Sequence, residues 1–284
     1  MTTIPSTGPV VLSPEIVAPD SAGQRQIDTT SPEGLRVVTV AGEKLSAFDL
    51  HMIYTFRYRQ YRARRWVNTE LADNLNLVNE PYTQAHAQQD LHTLVIESDT
   101  QILRGYGTLA DSRDNPGIDL DSSAHQRFVV ERDYNIDLAD HLDPRARVRE
   151  GKRLIRDYAM PRSSAGASVP WWVYYAWGRG CAQFLHSNQN AAIVGDGKLN
   201  GAISQLRLLG FSVQVLHETT PVPPADDDLF APMWDQNERS YPFVLTDEAG
   251  TLDDTLDLLE SILRSGDPTS LRLKLSERRE GVTR

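Results

Sequence analysis

The sequence predicts an α/β or α+β fold built on one central mixed sheet flanked by helices. Two observations carry this. Short β-branched runs alternate with longer amphipathic segments in the order β-α-β-β-β-α-β-α-β, and such alternation closes around a single sheet. The chain has 284 residues, 40% hydrophobic and 24% charged, which is enough apolar content for a sizeable core under a solvated surface.

The elements follow in order. Residues 1–33 are rich in Pro, Ser, Thr and Gly without periodicity, which predicts a flexible arm. Residues 35–40 are a β-branched run, the first strand. Residues 45–66 contain neither Pro nor Gly, and Phe48, Met52, Tyr54, Phe56, Tyr58 and Tyr61 suit an amphipathic helix. Residues 71–89 are polar and irregular, a mobile loop with a short helix. Residues 91–96 and 101–109 read as a hairpin around the polar connector 97–100. A turn cluster at 111–116 and an acidic stretch with a short helix near Leu138 lead to a charged strand over 147–158.

Ser168 is placed to cap a helix over 170–186 that carries Trp171, Trp172, Tyr174, Tyr175, Trp177 and Phe184. A buried strand at 190–194, a helix at 198–209 stopped by Gly210 and a strand at 211–216 complete the main domain, 34–217. The remainder, 218–284, is a C-terminal extension. It holds a strand at 241–245, an acidic helix at 252–263 with Leu252, Leu256, Leu259 and Leu263 on one stripe, and a charged tail with no assigned structure.

Composition removes several function classes. A net charge of −10 opposes general nucleic-acid binding, which needs a basic field. The single cysteine, Cys181, sits in an aromatic helix and allows no intrachain disulfide framework; the seven histidines are scattered, so no metal site is expected. No apolar run reaches the ~18 to 20 residues of a membrane helix, and the N-terminus has no secretory pattern, so a cytoplasmic setting is expected. Gly195-Asp196-Gly197 follows a strand but lacks the rest of a phosphate-binding motif.

The strand at 147–158 stands out because it carries Glu150 and Arg153 among further cations where a central strand would be apolar. It is either an edge strand with a solvated face or the lining of a polar cleft. The arginines gather in two places, between 57 and 65 and between 145 and 156, either as solvated faces or as a landing place for an anionic partner.

Arg57, Tyr61, Arg64 and Trp66 on the first helix, Asp90 ahead of the hairpin, the Glu150-x-x-Arg153 pair followed by Leu154 and Ile155, and Gly210-Phe211 together resemble the GNAT-type acyltransferases. Within them the match is to the acyl-homoserine-lactone synthases and long-chain N-acyl amino acid synthases, over roughly residues 35–217. The resemblance implies a GNAT-like fold and transfer of a fatty acyl group from acyl carrier protein or acyl-CoA to the amine of a small molecule, an amino acid, with no bound cofactor. By the same resemblance Glu150 assists amine deprotonation and Arg153 fixes it, while Arg57, Tyr61, Trp66 and Asp90 bind substrate. Tyr61 and Trp66 also suit core packing, as the Glu150–Arg153 pair suits a structural ion pair.

The synthases carry further acidic residues before that Asp and an Arg late in the second hairpin strand. Here Glu80 is a loose counterpart to the acids, and Gly107-Thr108 stands where the Arg would fall. Lactone synthesis from S-adenosylmethionine is therefore an alternative rather than the first reading, and a non-catalytic GNAT-like binding module is another. Residues 162–167 (Arg-Ser-Ser-Ala-Gly-Ala) fall one glycine short of the pyrophosphate loop of the CoA-dependent enzymes. That favours an acidic carrier protein as donor, received by Arg149, Lys152 and Arg156.

Overall fold

The computed structural model describes residues 8–17, 25–80, 84–111, 128–161, 163–222, 228–234, 239–267 and 270–282. Most of the turn cluster after Asp111, and Arg162 of the near-miss phosphate loop, lie outside the described residues.

In chain order the elements are α1 (Pro14–Val17), β1 (Arg25–Thr30), β2 (Leu35–Ala41), α2 (Ala47–Ala63), α3 (Thr69–Asn74), α4 (Gln84–Gln89), β3 (Leu91–Glu97), β4 (Ile102–Ala110), α5 (Val129–Tyr134), β5 (Val148–Arg156), α6 (Ser164–Ser187), β6 (Ala192–Lys198), α7 (Ser204–Leu208), β7 (Ser212–Val215), α8 (Ala231–Trp234), β8 (Ser240–Thr246), α9 (Leu252–Arg264) and α10 (Leu271–Val282). The strands form one mixed sheet in the order β1-β2-β3-β4-β5-β6-β8-β7. β5 and β6 run parallel, while β1–β2, β2–β3, β6–β8 and β7–β8 are antiparallel. The expected α/β architecture is therefore present.

The chain falls into two compact units. The first comprises residues 1–108, 153–173 and 225–236; the second comprises 109–152, 174–224 and 237–284.

The first unit packs Val38, Leu50, Ile53, Phe56, Leu94, Ile96, Leu103, Tyr106 and Ile155 into one core. α2 starts where Ser46 accepts a hydrogen bond from the Asp49 amide at 3.0 Å, an N-cap that satisfies one free donor of the first turn. Gly105 of β4 lets α6 approach, because a Cβ there would stand 2.6 Å from Val173.

Parts of the stretch expected to be a flexible arm are ordered. Arg25–Thr30 is a strand, and Val10, Leu12 and Ile16 are buried. Tertiary bonds do this: Leu103 N donates to Val10 O at 2.9 Å, Leu12 N to Gln101 O at 3.0 Å and Ser13 N to Asp49 Oδ1 at 2.8 Å.

Ser168 does not cap its helix. α6 begins four residues earlier than that cap, and the Ser168 hydroxyl donates to Ala165 O at 2.9 Å, inside the helix. Pro170 then has no N–H for the Gly166 carbonyl, and Arg156 Nη1 donates to that oxygen at 3.4 Å.

The second unit buries Phe128, Val130, Tyr134, Leu138, Val148, Val194 and Val244 together. Leu252, Leu256, Leu259 and Leu263 of α9 are all buried, as their stripe predicted, each side chain contributing about 1.5–3 kcal/mol of transfer free energy. The charged tail also folds: Leu271 and Leu275 are buried on α10. Cys181 is buried, and burial pushes its thiol well above the usual range.

Candidate functional site

α2 sets the first cluster. Tyr54, Arg57 and Tyr61 lie three and four residues apart, so they share one helix face. The Arg57 guanidinium sits 4.4 Å from the centre of the Tyr54 ring and 5.7 Å from that of Tyr106. Its Nη2 donates to Glu80 Oε1 at 2.7 Å, and both side chains are buried. Glu80 is delivered by its backbone, whose N–H donates to Tyr54 O at 3.2 Å. Arg153 Nη2 stands 3.7 Å from the same carboxylate oxygen, with its guanidinium 5.4 Å from the centre of the Tyr61 ring.

Burial opposes the charge on Arg57, yet the Glu80 carboxylate beside it carries its pKa well above the ordinary value. Burial pushes Tyr54 up to about 12, against the pull of Arg57. Burial, reinforced by Arg57, lowers His92 to about 4. A neutral His92 therefore donates from Nε2 to Ala87 O at 2.7 Å and accepts from the Tyr106 hydroxyl at Nδ1, at 2.9 Å. Asp90 is buried ahead of β3, and its backbone oxygen accepts from Gly42 N at 2.8 Å.

At the end of α2, Arg65 takes a left-handed conformation with φ 60°, and Trp66 N donates back to Tyr61 O at 2.9 Å. This turn returns the Trp66 ring to Tyr61, with centroids 6.1 Å apart and planes 30° apart. Phe230 meets Tyr61 edge-on at 5.9 Å. Arg64 lies over the Trp66 ring at 5.0 Å.

Three polar atoms of this cluster are buried without a hydrogen-bond partner among the described residues: Glu80 Oε2, Arg57 Nε and the Tyr61 hydroxyl. Native interiors leave few such atoms, and each costs about 1–3 kcal/mol. An acceptor and two donors left open together suit a ligand that carries both charges.

The second unit holds Glu150, also buried. Oε1 accepts from Val130 N at 2.9 Å, and Oε2 accepts from Val129 N at 3.2 Å and from Lys152 Nζ at 3.1 Å. The carboxylate thus closes the first turn of α5. Residues three apart in a strand face opposite sides, whereas Glu150 and Lys152 share one. Arg153 then takes φ 64°, a left-handed conformation that is strained for a non-glycine residue and breaks the alternation. Parallel pairing of β5 with β6 covers only Val148 to Glu150 against Ala192 to Val194, although β6 continues to Lys198.

The three cations expected to receive a carrier protein each have intramolecular work. Lys152 pairs with Glu150, Arg149 lies 3.7 Å from Asp111 and 5.1 Å from the centre of the Phe184 ring, and Arg156 serves the Gly166 carbonyl. Sequence reasoning missed Tyr54, His92, Tyr106 and Phe230. Helical spacing from Arg57 points to Tyr54; nothing local marks Phe230. Among the described residues there is no group of three or more His, Cys, Asp or Glu suited to a metal ion, and no helix long and apolar enough to cross a membrane.

No protein-family model matches the chain, and no curated protein matches it. Among solved structures it is similar to BjaI, a CoA-dependent acyl-homoserine lactone synthase, at 12% identity over 78% of this chain and 88% of that one, with a TM-score of 0.47. It is similar to the acyl-homoserine lactone synthase LasI at 13% identity, 74% and 88% coverage and TM-score 0.42. It is also similar to an acyl-CoA N-acyltransferase from Pseudomonas aeruginosa at 11% identity, 74% and 98% coverage and TM-score 0.36. Likeness at this level assigns no activity to the chain.

Proposed function

We propose that the chain is an N-acyltransferase that moves a fatty acyl group from a thioester donor, acyl carrier protein or acyl-CoA, to the amine of an amino acid. The supporting observation is the set of open atoms around Glu80. Its Oε1 is engaged by Arg57 while Oε2 is buried without a partner, beside the open Tyr61 hydroxyl. An α-ammonium group suits the carboxylate oxygen, and an α-carboxylate suits the hydroxyl and the neighbouring guanidinium, so a zwitterion answers all three atoms.

In the reaction the bound ammonium first gives one proton to solvent; the amine nitrogen then bonds to the thioester carbonyl carbon, the C–S bond breaks, and the second proton lost from nitrogen is taken up by the departing thiolate. Glu80 and Arg57 orient the acceptor. Arg153, strained and paired with Glu80, holds the far side of that carboxylate. In this reading Glu150 is a positioning residue that fixes the start of α5.

The test is product analysis by mass spectrometry. The protein is incubated with an amino-acid mixture and either decanoyl-CoA or decanoyl carrier protein, with S-adenosylmethionine in a parallel reaction. An N-decanoyl amino acid is expected, and Glu80→Gln should lower kcat/KM about a hundredfold through loss of one charge-assisted contact. A homoserine lactone instead moves the chain to lactone synthesis. No acylated product with either donor leaves the binding-module reading.

A further inference from the structure

We infer that the acceptor carries a large apolar side chain and that Phe230, contributed by the C-terminal extension, is the residue that reads it. This rests on the amino-acid reading above. Tyr61 belongs to two surroundings at once. Its hydroxyl is one of the three open polar atoms, and its ring is one of three aromatic rings in contact, with Trp66 stacked at 6.1 Å and Phe230 edge-on at 5.9 Å. Tyr61 is closed off from water, whereas Trp66 and Phe230 are only partly buried. Trp66 is engaged by Tyr61 and by Arg64, so the exposed part of the Phe230 ring is the apolar surface this group offers next to Tyr61. A zwitterion held by Glu80, Arg57 and the Tyr61 hydroxyl sets its side chain against this surface.

Phe230 is held there by backbone bonds. Asn68 N donates to Leu229 O at 2.9 Å and Met233 N to Phe230 O at 2.9 Å, while the Asn68 side chain caps α3 by accepting from Leu71 N at 3.1 Å. Leu229 and Phe230 pack with Trp66 and Leu77 on the buried group Tyr58, Tyr61, Val67 and Ala72. The ring is thus tied to the turn that places Trp66. A fixed aromatic wall rejects a polar side chain, because a hydroxyl or carboxylate taken from water without a partner is penalised. Among apolar side chains the same wall discriminates by size, at about tenfold or more per group.

Initial rates of the full chain with decanoyl-CoA and L-leucine, L-phenylalanine, L-serine or L-aspartate test this. The wild type should favour leucine and phenylalanine over serine and aspartate in kcat/KM. Phe230→Ala should lower that ratio about tenfold through KM for the apolar acceptors, and Phe230→Leu should keep most of it. Melting temperatures are measured alongside; if Phe230→Ala does not fold, Phe230→Thr takes its place and should lower the ratio in the same way. An unchanged ratio, or an equal fall for every acceptor, overturns the role of Phe230. A wild type that prefers serine or aspartate overturns the apolar class. If the wild type acylates none of the four, the amino-acid reading fails first and takes this inference with it.

Discussion

Glu80 in the first unit and Glu150 in the second are both buried carboxylates beside cations, and they differ in what is left open. Glu150 has its two oxygens filled by the Val129 and Val130 amides and by Lys152. Glu80 has one oxygen held by Arg57 at 2.7 Å and the other buried with no partner among the described residues. A satisfied carboxylate stabilises the fold around it. One with an open buried oxygen costs stability unless something else fills it, which is why the proposed acceptor site is centred on Glu80. Motif spacing pointed to Glu150; hydrogen-bond accounting points to Glu80.

The strongest way to break this contrast is to remove Glu80. Glu80→Ala leaves the Arg57 charge buried, and loss of one partner of a buried pair should cost about 3–5 kcal/mol in urea denaturation. A loss below about 1 kcal/mol would show that Arg57 finds another partner and that the pair does not define the cluster. Glu150→Ala should cost less, about 1–3 kcal/mol, because the two amides it caps lie at a short helix start. Glu150→Gln sharpens the test. If product formation disappears while stability is kept, Glu150 acts in the chemistry and the contrast fails.

Acid probes the first unit through His92. Its native pKa of about 4 lies below the ordinary 6.5, so the unfolded chain takes up the proton first. Stability from this residue is complete above the ordinary value and is lost as pH falls toward 4. Between pH 7 and pH 5 the loss should be about 2 kcal/mol. Replacing His92 with Gln should flatten that part of the stability profile, and an unchanged slope would sink the assignment. The smallest effect is expected at an ion pair with exposed acids. Arg179 pairs with Asp253 at 3.1 Å and with Asp257, both exposed acids of α9, so Arg179→Ala should cost below about 1 kcal/mol and respond to salt.

The sequence by itself determined the alternating elements, the aromatic α6, the leucine stripe of α9 and the shared helix face of Arg57 and Tyr61. Each is written in residues a few positions apart, where helix and strand periodicity act directly. It also flagged Glu80, loosely, and the charged β5. The tertiary structure decided the rest, because the deciding partners are distant in the chain. Ser13 finds Asp49, which orders a segment that composition had marked as an arm. The carbonyl freed by Pro170 finds Arg156, taking a cation from the surface. Arg153 finds Glu80 and Glu150 finds the start of α5, because a strand sends neighbouring side chains to opposite faces and the left-handed backbone at Arg153 interrupts that pattern. Phe230 comes to Tyr61 through a backbone bond to Asn68, which no local pattern encodes.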